Sequence, residues 1–300
     1  MTARGAGVLV LAGPTASGKT ALAIDLASRW GAEIVGADSR QIYRGMPIGT
    51  AAPGEAQLAQ VRHHLIGFLD PRERYSAARF SADAVAAIRD IHARGKRAIV
   101  TGGTGFYIRA LTGAVDLAPQ FDEATRARLA HEARVHDAGF LYEWLNVRDA
   151  RRAAMLSRGD AYRILRALEI ALAPGAVLRG EAVQSLVSER IPFVKVFLNI
   201  EAEELERRIE ARTDAILAAG LVEEAERIGE DAVAASAVGY PQALSYLRGW
   251  CTRKELRALL IRATRRYAKR QASWFRGEPQ TEWLAPADVE RAAREKLGWF

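Results

Sequence analysis

The chain has 300 residues, 49% hydrophobic and 26% charged, the composition of a folded protein with room for one large domain or two smaller ones. Its single cysteine, Cys251, excludes a disulfide framework and a cysteine-based zinc module, and no stretch approaches the roughly 18 uninterrupted apolar residues of a membrane helix. The net charge of +7 is concentrated in one place: residues 248–276 carry ten basic side chains and one acid, Glu255, while residues 1–247 balance, a distribution suited to a phosphate-rich partner.

In chain order, residues 1–5 run into the first strand with no signal-peptide core, so cytoplasm is the expected compartment. Residues 8–12 are an apolar, β-branched run of the buried-strand type. Gly13, Pro14, Thr15, Ala16, Ser17, Gly18, Lys19 and Thr20 then form a complete G-x-x-x-x-G-K-[ST] phosphate loop, with a helix predicted over 18–30. The glycines let successive N–H groups turn inward, and the helix adds its positive end. Lys19 is placed to reach terminal phosphates and Thr20 to coordinate Mg²⁺.

A second strand over 33–37 ends in Asp38-Ser39, a helix is expected near 54–61, a strand over 64–69 and a helix over 81–94. The strand over 97–101 runs into Gly102-Gly103-Thr104. This alternation predicts an α/β fold: a P-loop NTPase-like parallel sheet flanked by helices. Ligands bind such sheets at the strands' carboxyl ends, which puts Asp38 and Thr104 on the phosphate loop's rim. The first part of this core is expected to end at residue 118.

Residues 119–190 turn helical and predict an α-helical insertion domain, with helices over 122–137, 148–156 and 161–172, the last closed by Pro174-Gly175. The core resumes over 191–300 with a strand at 193–200 and a helix from about 201 to 219, stopped by Gly220. Arg208 and Arg212 share one face of that helix; either they pair with Glu204 and Glu210 or one of them clamps a diphosphate. Thr252 to Glu255 form a capping box that opens a long helix ending before Gly277. Leu256, Leu260, Ala263, Tyr267 and Trp274 make its apolar stripe, and Arg262, Arg265, Arg266, Lys269 and Arg276 a basic face. No acid follows Glu255 as far as Arg276, 21 residues on, which favours contact with a nucleic-acid backbone.

Three classes compete. A P-loop kinase or ATPase would bind ATP, but the strand over 97–101 ends without the usual metal-holding carboxylate, leaving Asp38 to serve. A nucleic-acid motor lacks its further motifs. A transferase with a diphosphate-ester donor and a nucleic-acid acceptor uses the phosphate loop, Asp38 and the basic helix together.

Eight ordered blocks carry a resemblance: residues 13–20; Asp38-Ser39-Arg40-Gln41-Ile42-Tyr43 with residues 45–51; Tyr75-Ser76-Ala77 with Phe80; residues 102–107; Arg163 to Arg166-Ala167-Leu168-Glu169; Arg208-Ile209 with Arg212; Val238-Gly239-Tyr240 with Gln242; and Thr264-Arg265 leading to Ala268-Lys269-Arg270-Gln271, Trp274 and Arg276. In these the chain resembles the tRNA dimethylallyltransferase family. The resemblance implies transfer of a dimethylallyl group from dimethylallyl diphosphate to the N6 amine of the adenosine 3′ of the anticodon, in tRNAs reading codons that begin with U. It implies that Lys19, Thr20 with Mg²⁺, and Arg212 hold the diphosphate, that Asp38 engages the attacking amine and that Thr104 orients it. Ser39, Arg40, Gln41, Arg126, Arg163, Arg166 and Lys269 join Asp38 and Thr104 as expected tRNA contacts, on a chain expected to act as a monomer. The sequence departs from the family at Leu156-Ser157-Arg158-Gly159-Asp160 and at Pro174-Gly175-Ala176. An adenylate isopentenyltransferase, which prenylates a free nucleotide, is the nearest rival and has no use for so long a basic helix.

Overall fold

In the computed structural model, which describes residues 7–113, 123–172 and 184–299, the chain opens with β1 (Val8–Ala12), every residue of it buried. The phosphate loop leads into α1 (Lys19–Trp30), which turns Ala23, Ile24, Leu26, Ala27 and Trp30 inward, and then into β2 (Ala32–Gly36). Two short helices, α2 (Pro47–Thr50) and α3 (Glu55–Gln60), precede β3 (His63–His64), α4 (Ala77–Ala93), β4 (Arg97–Gly102) and α5 (Gly105–Leu111). The strand expected over 64–69 is cut to two residues because Leu65 and Gly67 take φ of 59° and 60°, which breaks extended backbone.

The insertion carries α6 (Glu123–Val135), α7 (Ala138–Arg148), α8 (Ala150–Ala153) and α9 (Ala161–Leu172). These form a compact unit spanning residues 116–182, closed around Leu129, Leu141, Leu145, Ile164 and Leu168. The pattern predicts an insertion running to residue 190, but residues 184–191 belong to the larger unit. There the Leu186 N–H donates to the Leu111 carbonyl at 2.7 Å, and Ser81 Oγ donates to the Gln184 carbonyl. Helix α7 has no expected counterpart; its start is marked by Asp137, whose side chain accepts from the Phe140 N–H at 2.8 Å. Pro174-Gly175 lies outside the described residues.

The larger unit continues with β5 (Phe193–Leu198), α10 (Ala202–Ala218), α11 (Leu221–Ile228), α12 (Tyr240–Leu247), α13 (Arg253–Arg276), β6 (Thr281–Leu284) and α14 (Val289–Leu297). The capping box is formed: Thr252 Oγ1 accepts from the Glu255 N–H, and Glu255 accepts from the Thr252 N–H at 2.7 Å.

The six strands among the described residues are all parallel, in the order β3-β2-β4-β1-β5-β6. One apolar cluster joins Leu9, Leu11, Ile34, Ile99 and Val196 of the sheet to α1 and α14, with Trp30 and Trp299 meeting edge to face at 5.3 Å. A second joins Ile42, Met46, Leu221, Tyr240, Leu256 and Leu260 around α11 to α13. Parallel strands put every carboxyl end on one edge, so the loops after β1, β2 and β4 are neighbours there.

Candidate active site

The phosphate loop is shaped by its own backbone and held from outside. Ala16 and Gly18 take φ of 64° and 83°, left-handed turns that fold the loop over the start of α1. Ala16 packs against a small apolar cluster made by Ile209 of α10 with Ile261 and Ala268 of α13. Arg208 Nη1 donates to the Ser17 carbonyl at 2.9 Å while its Nε is held by Glu204. Lys19 Nζ curls back to donate to the Pro14 carbonyl at 3.2 Å. Burial pushes its pKa down to about 8; Asp38 opposes that shift and Arg212 reinforces it.

The loops after β2 and β4 are stitched together. The Ala37 N–H donates to the Thr101 carbonyl at 2.7 Å, and the Thr104 N–H donates back to the Ala37 carbonyl at 3.2 Å. This crossing needs Gly102, because a β-carbon there would lie 2.1 Å from the Ala37 oxygen. Asp38 Oδ1 accepts from the Arg40 N–H at 2.9 Å, an Asx-type turn that fixes the carboxylate. Thr104 Oγ1 accepts from the Ser39 N–H at 2.9 Å and donates to Ser39 Oγ at 3.2 Å. Gln41 Nε2 donates to the Thr50 and Ala51 carbonyls.

Between these loops lies a cavity of about 240 Å³ lined by Thr15, Lys19, Thr20, Asp38, Ser39, Arg40 and Gln41. Arg212 enters from α10, its Nη2 donating to the Thr50 carbonyl at 3.3 Å. Burial lowers its pKa, with Asp38 opposing. Leu260, Thr264, Tyr267 and Gln271 of α13 close the wall, and burial raises the Tyr267 hydroxyl. The cavity therefore brings two shielded cations and a loop of N–H groups together with a fixed carboxylate. An anionic leaving group fits the first and a proton-bearing nucleophile the second.

The structure brings together Thr15, Lys19, Thr20, Asp38, Ser39, Arg40, Gln41 and Arg212 as lining residues, with Gly13, Pro14, Ala16, Ser17 and Gly18 shaping the loop beneath. Thr104 does not line the cavity; it braces the Asp38–Ser39 turn. Lys269 is exposed on α13 outside the cavity. In the insertion, Arg126 and Arg166 close on Glu169, Arg126 at 3.0 Å, and Arg163 lies 3.4 Å from Asp160. The basic face of α13 is partly neutralised, because α10 supplies the acids its own sequence lacks: Arg265 pairs with Glu210 at 2.9 Å and Arg257 with Asp214 at 2.6 Å. Thr264, Tyr267 and Gln271 are site residues that the sequence argument missed. Their signal was spacing: with Leu260 they recur every three or four positions, one stripe of a helix.

The family model for IPP transferases matches residues 41–278. The chain is 39% identical over 300 residues to the tRNA dimethylallyltransferase of Geobacter sulfurreducens, covering 98% of this chain and 96% of that one. It is 44% identical over 303 residues to the tRNA dimethylallyltransferase of Alkalilimnicola ehrlichii, covering 98% and 95%. Among solved structures, the full-length tRNA isopentenylpyrophosphate transferase of Bacillus halodurans superposes with a TM-score of 0.70 at 32% identity, covering 97% of each chain. A eukaryotic dimethylallyltransferase acting on tRNA superposes with a TM-score of 0.75 at 25% identity, covering 96% of this chain and 75% of that one.

Proposed function

The chain belongs to the IPP transferase family, and from that premise we infer that it transfers a dimethylallyl group from dimethylallyl diphosphate to tRNA, at the N6 amine of the adenosine 3′ of the anticodon in tRNAs reading codons that begin with U. The observation that carries this reading is the convergence, on one cavity, of a phosphate loop, Arg212 and the Asp38 carboxylate. The loop N–H groups, Lys19 and Arg212 take the diphosphate and stabilise the charge that grows on it as the allylic carbon–oxygen bond breaks. The N6 lone pair forms the new carbon–nitrogen bond, and Asp38 accepts the proton that N6 sheds. An exocyclic amine is a weak nucleophile, so holding it in line with the allylic carbon supplies much of the rate. The base must leave its stack to enter the cavity.

Among the described residues no group of three or more His, Cys, Asp or Glu could hold a metal ion. Thr20 opens onto the cavity beside the phosphate loop, a hydroxyl oxygen that fits Mg²⁺, which takes its other ligands from diphosphate and water. When bound it would neutralise diphosphate charge. We propose that the chain acts as a monomer. No helix among the described residues is long and apolar enough to cross a membrane; the compartment we propose is the cytoplasm.

The test is incubation with labelled dimethylallyl diphosphate, Mg²⁺ and either unmodified tRNA or AMP, followed by digestion of the product. Label on the adenosine beside the anticodon, lost in Asp38→Ala, is the expected result. Label on AMP alone, or ATP turnover without transfer, would refute it.

A further inference from the structure

Gln271 is a buried amide near the C-terminal end of α13, 5% exposed, with its two ends bonded to two different loops. Its Oε1 accepts from the Thr15 N–H of the phosphate loop at 2.8 Å, and its Nε2 donates to the Gly103 carbonyl at 2.9 Å. Both partners are backbone, so the amide's orientation is dictated: only the oxygen can meet an N–H and only the nitrogen a carbonyl. The position of α13 is itself set on either side of this residue. Ala268, one turn before, belongs to the cluster against which Ala16 packs, and Phe275, one turn after, packs on Phe197 with ring centroids 4.8 Å apart. The fit at Gly103 is close enough that a β-carbon there would lie 2.1 Å from Gln271 Nε2.

The two loops hold opposite halves of the reaction. Thr15 belongs to the loop that takes the diphosphate. Gly103 precedes Thr104, which holds the Ser39 N–H beside Asp38. Thr15 spends its N–H on Gln271, so that donor serves alignment instead of the phosphate.

We propose that Gln271 is a positioning residue that sets the register between the donor loop and the acceptor loop, and so governs the alignment of amine and allylic carbon without contributing to donor affinity. The inference rests on the transferase reading above. Displacement is steep in alignment, where an error of about 1 Å can lower a rate on the order of 10²-fold. Removing the brace therefore lowers kcat and leaves donor binding in place.

Two variants test this. Gln271→Met keeps the length and removes both hydrogen bonds; Gln271→Glu keeps the acceptor for Thr15 and loses the donor to Gly103 until its carboxyl is protonated. Single-turnover transfer is measured at saturating tRNA and donor, and affinity for the non-transferring thiodiphosphate analogue of the donor is measured separately. Gln271→Met should lose between about 10- and 100-fold in rate, with analogue affinity within about threefold of the parent. Gln271→Glu should match it at pH 8 and regain rate relative to the parent as pH falls, because the protonated carboxyl again donates to the Gly103 carbonyl. A Gln271→Met rate within twofold of the parent overturns the proposal, as does analogue affinity falling in step with the rate. So does a Gln271→Glu pH profile parallel to the parent's. If the parent itself transfers nothing to tRNA, the transferase reading and this proposal fall together; an active parent with an equally fast Gln271→Met sinks the proposal alone.

Discussion

Lys19 should make donor binding depend on pH in a window set by its environment. Its pKa of about 8, down from 10.5, reflects a charge that burial and Arg212 oppose more than Asp38 supports. That difference corresponds to about 3 kcal/mol by which the unliganded fold disfavours the ammonium. Because the folded value is the lower one, the penalty is fully present below pH 8 and fades as pH rises from 8 towards 10.5. A bound diphosphate reverses the preference, since the anion favours the ammonium and returns its pKa towards or above the ordinary value. Binding above pH 8 must then take up a proton. For a group of pKa about 8, affinity should be nearly flat below pH 7 and fall about tenfold between pH 7 and pH 9. Calorimetric titration with the thiodiphosphate analogue of the donor checks this at fixed Mg²⁺, above the last phosphate ionisation near pH 6–7. Lys19→Arg, which stays charged throughout, should bind without that decline. A parent affinity that is level from pH 7 to 9, or an equal decline in Lys19→Arg, would refute the assignment.

Glu224 is buried and accepts from the Ile48 N–H at 3.0 Å, the Gly49 N–H at 2.7 Å and the Tyr240 hydroxyl at 2.7 Å. Glu224→Gln leaves one backbone donor facing an amide donor, so it should destabilise by about 2 kcal/mol and lower Tm by about 5 °C. It should also raise the donor KM, because α2 carries the Thr50 carbonyl that holds Arg212. Gly102→Ala drives a β-carbon into the Ala37 carbonyl and should abolish transfer, whereas Gly159→Ala, with nothing within 4 Å, should change stability by less than about 1 kcal/mol; activity and thermal melts distinguish the two. Lys269→Ala should reduce the slope of log K against log salt for tRNA binding by about 0.7–1. Arg265→Ala should reduce it less, because Arg265 is already paired with Glu210 and Glu206; filter binding at several salt concentrations measures both.

The parallel α/β core was legible because its signals are local. Buried strands read as apolar runs, the phosphate loop as a fixed spacing, and the start of α13 as a capping box. Strand β6 and helix α14 were not legible: β6 is four half-buried residues, and α14 is defined by what it packs on, β1 and β5 of the sheet. The end of the insertion was misplaced for a similar reason, since residues 184–191 are irregular and belong where Leu186 is bonded, beside Leu111.

By itself the sequence determined the chemistry available: a loop for phosphate oxygens, a carboxylate after β2, arginines one turn apart and a basic helix. Each follows from residue type and short spacing, which the backbone's own periodicity converts into shared faces and strand ends. Only the tertiary structure decided which charges stay available. Arg208 and Arg212 share a helix face, yet one is bound by Glu204 and the Ser17 carbonyl while the other opens into the cavity. Arg126 and Arg166 close on Glu169, and α10 neutralises part of the basic face of α13. The physical reason is range: hydrogen bonds and ion pairs act over a few ångströms in space, and only packing brings together residues far apart in sequence.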